Sequence, residues 1–214
     1  MAQVSDRTIG RLSLYRRLLD ELQTSGVAHA YSHQLANLAG ATAAQVRRDL
    51  MVVGYSGSPA KGYDVQQLSQ SIGAFLDAPA RQGVALVGVG NLGRAILAYF
   101  TGRRPNLAIV ASFDTDPKKV NRFLHGCPCY PMEEMGRIVG EMDIRVAIIA
   151  VPSTEAQAVT DLLTRCGVRS LVNFAPVPLR VPSHMYVEDI DITTSLEKVA
   201  YFARCGRLEK ETVS

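Results

Sequence analysis

Residues 84–96 read VALVGVGNLGRAI. A short apolar run leads into Gly88, Gly90 and Gly93 at the spacing G-x-G-x-x-G, and helix-like periodicity begins at Leu92. An apolar run ended by glycine reads as a buried strand, and apolar residues resuming at helical spacing read as a helix. Each glycine in such a strand–turn–helix has a mechanical reason. The first permits the tight turn, the second lets backbone N–H groups approach a pyrophosphate, and the third allows close helix–strand packing; the helix N-terminus favours the negative charge. Asp114 follows 21 residues after Gly93, at the end of the next apolar run. A carboxylate there accepts hydrogen bonds from an adenosine ribose and repels a 2′-phosphate, which favours NAD(H) over NADP(H). Lys118 and Lys119 soften that preference. The expected contacts of the dinucleotide are Gly88, Val89, Gly90, Asn91, Leu92, Gly93 and Asp114.

Outward from this stretch, strand-like and helix-like segments alternate as in a doubly wound parallel sheet. VALVGV, LAIVASF, RVAIIAV and SLVNF read as strands; LGRAILAYF, a short DPKKVNRFL, MEEMGRIVGEM and STEAQAVTDLLTRC read as helices. A sheet that packs without any ligand is the alternative. NADH and NAD⁺ differ only at the nicotinamide ring and its charge, so discrimination belongs to the loops around that ring. Residues 150–153 and 173–176 are expected there, contributing Val151, Pro152, Phe174 and Ala175, with Tyr99 nearby. A neutral, apolar pocket favours the reduced ring.

The block before the fingerprint has its own grammar. Residues 7–25 place Leu12, Tyr15, Leu18, Leu19 and Leu22 at helical spacing, and Gly26 stops them. Ser32 is expected to cap HQLANLA, Gly40 to end it, and Thr42 to cap a third helix with Gln45 at N3 of a capping box. Two short helices joined by a tight turn make a helix-turn-helix. The third, AAQVRRDLMVV, puts Val46, Leu50 and Val53 on one face and Gln45, Arg47, Arg48 and Asp49 over the rest. GYSGSPAKGYDV then reads as a short hairpin between Tyr55 and 63–65, with Lys61 near its tip. Helix-turn-helix followed by a basic hairpin is a winged helix, whose expected DNA-facing residues are Ser32, Gln45, Arg47, Arg48, Lys61 and Tyr63. A helical dimerisation module with a merely solvated basic face is the alternative. A domain boundary belongs at about residues 79–83, dividing the chain into 1–80, 81–192 and a C-terminal helix and tail, 193–214.

The 214 residues suffice for two such domains, each with a core. Hydrophobic residues at 47% and charged residues at 20% suit an ordinary globular protein, and the start MAQVSDRTIG has no apolar signal region, so a cytoplasmic location is expected. The net charge of +3 requires any anionic partner to be met by a local patch. Cys127 and Cys129 form C-P-C, but no second Cys/His pair stands at zinc spacing, so no metal site is expected. His125 and His184 stand alone beside loop signals and offer no proton-transfer pair, and no substrate domain follows the sheet; no catalytic residue is expected. A small NAD(P)-dependent oxidoreductase and a coenzyme A-binding scaffold remain as alternatives.

The order RLSLYRRLLDEL, AQVRRDL, KGYDV, GVGNLGRAILAYF, FDTDPKKV, AVPSTEAQ, NFAP and DIDITTSLEKVAYF resembles, nearly end to end, the Rex family of redox-sensing transcriptional repressors. The resemblance implies a winged helix joined to an NAD(H)-binding Rossmann domain. It also implies a homodimer whose C-terminal helix, from Ser195 to about residue 207, crosses to the partner. It implies operator binding when NAD⁺ prevails and release when NADH binds, with Arg17, Tyr99 and Asp191 in the network that reports the nucleotide. Two departures stand out. MVVGYSGSPAKGYDV lacks the Ser and Phe residues usual in this family, and Cys127 and Cys129 replace ordinary apolar residues, which leaves a thiol-based input open.

Overall fold

The computed structural model describes residues 4–77, 80–102 and 106–205. Pro79 of the expected linker and residues 206–207 at the expected end of the last helix lie outside the described residues. The chain divides into two compact units, Met1–Ala80 and Arg81–Ser214.

The first unit comprises α1 (Asp6–Thr24), β1 (His29–Ala30), α2 (Ser32–Ala39), α3 (Ala43–Val52), β2 (Tyr63–Asp64) and α4 (Val65–Leu76). Leu12, Tyr15 and Leu19 on one stripe of α1 are fully buried against Leu35 of α2, Val46 and Leu50 of α3, and Leu68 and Ile72 of α4. Each such side chain contributes roughly 1.5–3 kcal/mol by leaving water. Gly40 ends α2 at φ 63°, a left-handed conformation that suits a residue without Cβ. Thr42 Oγ1 caps α3, accepting from Gln45 N at 3.1 Å.

Three expectations in this unit need correction. Ser32 does not cap α2: Tyr31 holds that position, its N–H donating to Gln34 Oε1 at 2.7 Å, and Ser32 is the first helical residue. Asp49 is not part of the solvated face of α3 but is buried. The wing is also smaller than read. Ser58 and Gly62 exchange backbone hydrogen bonds of 2.8 and 2.7 Å around a tip holding Lys61, but Tyr63 and Asp64 pair with His29 and Ala30 instead of returning along Tyr55. This pairing turns the Tyr63 ring into the core, where Gly57 passes so close that a Cβ there would lie 2.7 Å from it.

The second unit follows with β3 (Gln82–Val87), α5 (Asn91–Phe100), β4 (Leu107–Asp114), β5 (Arg122–Leu124), β6 (Cys127–Pro131), a 3₁₀ turn, α6 (Met135–Glu141), β7 (Val146–Ile149), α7 (Ser153–Arg165), β8 (Ser170–Asn173), β9 (Tyr186–Asp189) and α8 (Ile192–Cys205). The seven strands lie in the order β5-β6-β4-β3-β7-β8-β9, parallel except for β5 against β6. Ala85 and Val87 of β3 enter one core layer while Val84 and Leu86 enter the other, so both faces are covered. Strand order reverses at β3, and the crevice beyond its carboxyl end is where such sheets take ligands.

DPKKVNRFL is not a helix. Asp116 O accepts from the N–H groups of Lys119 and Val120 to close a turn, and Asn121, at φ 59°, leads the chain into β5. His125 and Gly126, at φ 48° and 78°, then make a two-residue hairpin into β6. The strand forms because alternate Cys127 and Cys129 are buried in the sheet. The last helix begins at Ile192 instead of Ser195, because the Asp191 carboxylate caps it, accepting from Thr194 N at 2.9 Å. Among the described residues no helix is long and apolar enough to cross a membrane.

Candidate nucleotide and DNA sites

The loop from β3 to α5 is shaped by its glycines. A Cβ on Gly88, at φ 90°, would lie 2.5 Å from Ala150 O, and one on Gly93 would lie 2.0 Å from Gly88 O. A Cβ on Gly90 would meet nothing within 4 Å. Gly88 and Gly93 are therefore required by the protein's own packing, whereas the space at Gly90 is open for another molecule. The first N–H in the α5 ladder is that of Arg94, donating to Gly90 O at 3.0 Å. The preceding amides of Asn91, Leu92 and Gly93 stand at the positive end of the helix dipole, the arrangement that holds a phosphate anion. Gly88, Gly90, Asp114, Lys119, Val151 and Pro152 help line a cavity of about 600 Å³ at this point. The donors and the uncrowded backbone fit a dinucleotide pyrophosphate.

Asp114 is committed to the loop it was expected to complement. Its Oδ2 accepts from Val89 N at 2.8 Å and from Lys119 Nζ at 3.0 Å, and its Oδ1 accepts from Asp116 N at 2.8 Å. Burial alone would raise its pKa, but the bonds from Asp116, Lys119 and Val89 outweigh burial and hold the carboxyl below its ordinary range. The lysine beside it offsets much of the charge that would repel a 2′-phosphate.

The remaining nucleotide residues are not all brought together. Val89 is buried, while Asn91 and Leu92 are exposed at the start of α5. Phe174 donates its N–H to Ile149 O at 2.9 Å and packs with the β3–α5 core layer. Ala175 lines a separate cavity of about 230 Å³ with Asp189, Ile190 and Asp191. Tyr99 lies two turns along α5, 55% exposed, its ring edge-on to Phe100, and it does not line the 600 Å³ cavity. Asp191 caps α8, and its carboxyl is held below the usual range by hydrogen bonds from the Thr194 side chain and backbone.

On the first unit, Arg47 and Arg48 are exposed on α3, and Arg47 Nη1 donates to Ser32 Oγ at 3.1 Å, bringing those two expected contacts together. Lys61 is exposed at the wing tip, and Arg17 is exposed on α1. Gln45 faces inward, donating from Nε2 to Asp49 Oδ1 at 2.8 Å. Tyr63 is buried, which raises its hydroxyl pKa; it is a core residue and not an offered contact. Sequence reasoning missed two organising residues. Asp49 accepts from Arg11 Nε at 2.6 Å, Arg11 Nη2 at 2.8 Å and Tyr15 OH at 3.0 Å, tying α3 to α1. Tyr31 OH donates to Ala60 O at 2.8 Å, tying the wing tip to the start of α2. An Arg-x-x-x-Tyr pair at i, i+4 on α1 was the one available signal for the first.

Burial pushes the Cys127 thiol up to about 11 and raises Cys129 as well, so both stay protonated and unreactive near neutrality. That argues against the thiol-based input left open by the sequence. Among the described residues no group of His, Cys, Asp and Glu could hold a metal ion.

A family profile described as "CoA binding domain" matches residues 80–177, and one described as "Putative DNA-binding protein N-terminus" matches residues 3–50. A redox-sensing transcriptional repressor Rex from Roseiflexus sp. (strain RS-1) is 39% identical over 202 residues, covering 94% of this chain and 92% of its own. The chain belongs to the Rex family. A second Rex repressor, from Chloroflexus aurantiacus, is 39% identical over 92% of this chain and 93% of its own. The crystal structure of RSP in complex with β-NAD⁺ and operator DNA is similar with a TM-score of 0.87 at 29% identity, covering 95% of this chain and 94% of that one. RSP in complex with β-NADH is similar at 0.83 and 28% identity, covering 95% and 96%. The Rex match thus spans the winged helix and the Rossmann unit alike.

Proposed function

We propose that this chain is a DNA-binding transcriptional repressor that reads the NADH/NAD⁺ ratio, holding its operator when NAD⁺ prevails and leaving it when NADH binds. The observation that carries the reading is the open backbone at Gly90 before the free amides of α5, in a chain that also presents Arg47 and Arg48 on a winged helix. Membership of the Rex family supports it. Gly88, Val89, Gly90, Asn91, Leu92, Gly93 and Asp114 form the pyrophosphate and ribose end of the site; Val151 and Pro152, in the same cavity, and the adjoining 174–175 segment, outside it in the single chain, are assigned to the nicotinamide end. Arg47, Arg48 and Ser32 meet the major groove and Lys61 the backbone or minor groove. Arg17, Tyr99 and Asp191 carry the switch. The dinucleotide acts as a signal through the charge of its nicotinamide ring, and the protein is not an enzyme, as its Rex relatives are repressors.

The working form is a cytoplasmic homodimer. α8 buries none of its residues in the single chain, and Ile192, Leu196 and Val199 are 61%, 67% and 67% exposed. A helix with so much bare apolar surface is a partner-seeking element, and exchange between two copies covers it. Two winged helices held in this way enter major grooves of a palindrome about one helical turn, or a multiple of it, apart.

NADH lowers operator affinity only through its differential affinity for the two dimer arrangements, so the operator must lower NADH affinity by the same factor. The test is NADH titration with and without saturating operator, alongside NAD⁺ and coenzyme A. Equal NADH affinity in both conditions would end the sensor reading; tighter binding of coenzyme A than of NADH would favour a scaffold.

A further inference from the structure

Asn173 is the last residue of β8 and is 1% exposed. Its side chain makes three hydrogen bonds, to two separate segments. Oδ1 accepts from Ala175 N at 3.0 Å, and Nδ2 donates to Val177 O at 2.9 Å, which fixes the loop leaving the strand. Nδ2 also donates to Asp189 Oδ1 at 2.7 Å, at the end of β9. The main chain repeats the link, with Ile190 N donating to Asn173 O at 2.8 Å. The next residue, Asp191, caps α8.

Between the loop and the end of β9 lies the cavity of about 230 Å³, lined by residues from both. Segments facing each other across a void are not held by continuous packing, so movement of one reaches the other through the bonds that bridge the gap. Both amide protons of Asn173 are spent on that bridge, one on each side. An amide this buried cannot turn without leaving polar atoms unpaired, a cost of roughly a full desolvation penalty for each. It therefore holds one arrangement of loop and strand end, or releases both together.

We propose that Asn173 is a positioning residue that transmits the state of the 174–177 loop through Asp189 to the Asp191 cap of α8. The proposal rests on the reading that Phe174 and Ala175 meet the nicotinamide ring. A loop displaced by the redox state of that ring pulls the Asn173 amide from Asp189, loosens the turn into α8, and so changes the geometry of the helix that joins two copies.

The experiment measures coupling, the ratio of NADH dissociation constants with and without saturating operator, in the full-length protein. Asp189 is exposed, so Asp189→Ala removes the far end of the bridge with the fold kept. Expected is a fall in coupling of about fivefold or more, with operator affinity in the absence of nucleotide and NADH affinity in the absence of operator each unchanged. Asn173→Asp sets an acceptor against both Val177 O and the Asp189 carboxylate and should also lose coupling, whereas Asp189→Asn keeps an acceptor oxygen for the Asn173 amide and should retain it. A parent protein with no coupling overturns the sensor reading and this inference with it. Strong coupling in the parent that survives Asp189→Ala, or an Asp189→Asn variant that loses coupling as fully as Asp189→Ala, overturns this inference and leaves the sensor reading standing.

Discussion

Three glycines of one motif carry three different physical constraints, and substitutions separate them. Gly90→Val should abolish NADH binding while barely moving the melting temperature, because a Cβ there meets open space and the residue sits at φ −76°, which any residue adopts. Gly93→Ala should instead destabilise the Rossmann unit, its Cβ being placed 2.0 Å from Gly88 O, a backbone atom that cannot rotate away. Fluorescence titration with NADH and thermal melts of both variants check the pair. The cysteines yield a second expectation at this scale. Cys127, whose thiol is pushed up to about 11, and Cys129 should resist a thiol reagent at pH 7 until the protein is unfolded. On the DNA side, Arg47→Ala or Arg48→Ala should weaken operator binding by about 1–3 kcal/mol with NADH affinity intact. Unchanged operator affinity in both would remove α3 from the groove.

At the scale of the element, α3 is presented by its buried side as much as by its exposed one. Asp49 is held by Arg11, Tyr15 and Gln45, and its side chain is 2% exposed while that of Arg11 is 28% exposed. Asp49→Ala leaves the Arg11 charge half-covered and unpaired, which should cost about 2–3 kcal/mol after allowance for the water that still reaches Arg11. Operator binding should weaken too, since the helix loses its anchor to α1. Burial would raise the Asp49 pKa, yet the bonds from Arg11, Gln45 and Tyr15 prevail and hold its carboxyl below the ordinary carboxylate range. A folded pKa below the unfolded one means the contribution is complete above the ordinary carboxylate range and is lost as pH falls through the folded value. Urea melts of parent and Asp49→Asn should therefore differ most at neutral pH, and the difference should begin to shrink as pH falls below about 4. A constant difference down to pH 3 would rule out the ionised pair as its source.

For the whole molecule, the exposed apolar face of α8 makes assembly and sensing one question. Leu196→Asp should dissociate the proposed homodimer, seen by sedimentation, and abolish high-affinity operator binding while leaving each unit folded, because Leu196 touches no core in the single chain. A variant that remains dimeric would exclude this face from the interface.

Local rules were enough to read α1, the Gly40 stop, the Thr42 cap and the fingerprint turn in the sequence, because a cap, a left-handed glycine and a stripe of leucines act over one or two turns of chain. The order of the blocks and the motifs they carry likewise pointed to a winged helix, a nucleotide fold and the Rex family before any coordinate. DPKKVNRFL deceived because its charged and apolar residues suit a short helix; pairing with β6, which buries Cys127 and Cys129, made it a turn and an edge strand. Asp49 reads as a solvated helix residue, and only the approach of α1 reveals Arg11 and Tyr15 around it, 38 and 34 positions away in the chain. The same holds for Asn173 and Asp189, joined across adjacent strands, and for Asp114 and Lys119, whose pairing moderates a charge that local reading left bare. Local propensity acts between near neighbours and is written in the order of residues; which carboxylates are buried, and which donors then satisfy them, is decided by tertiary packing.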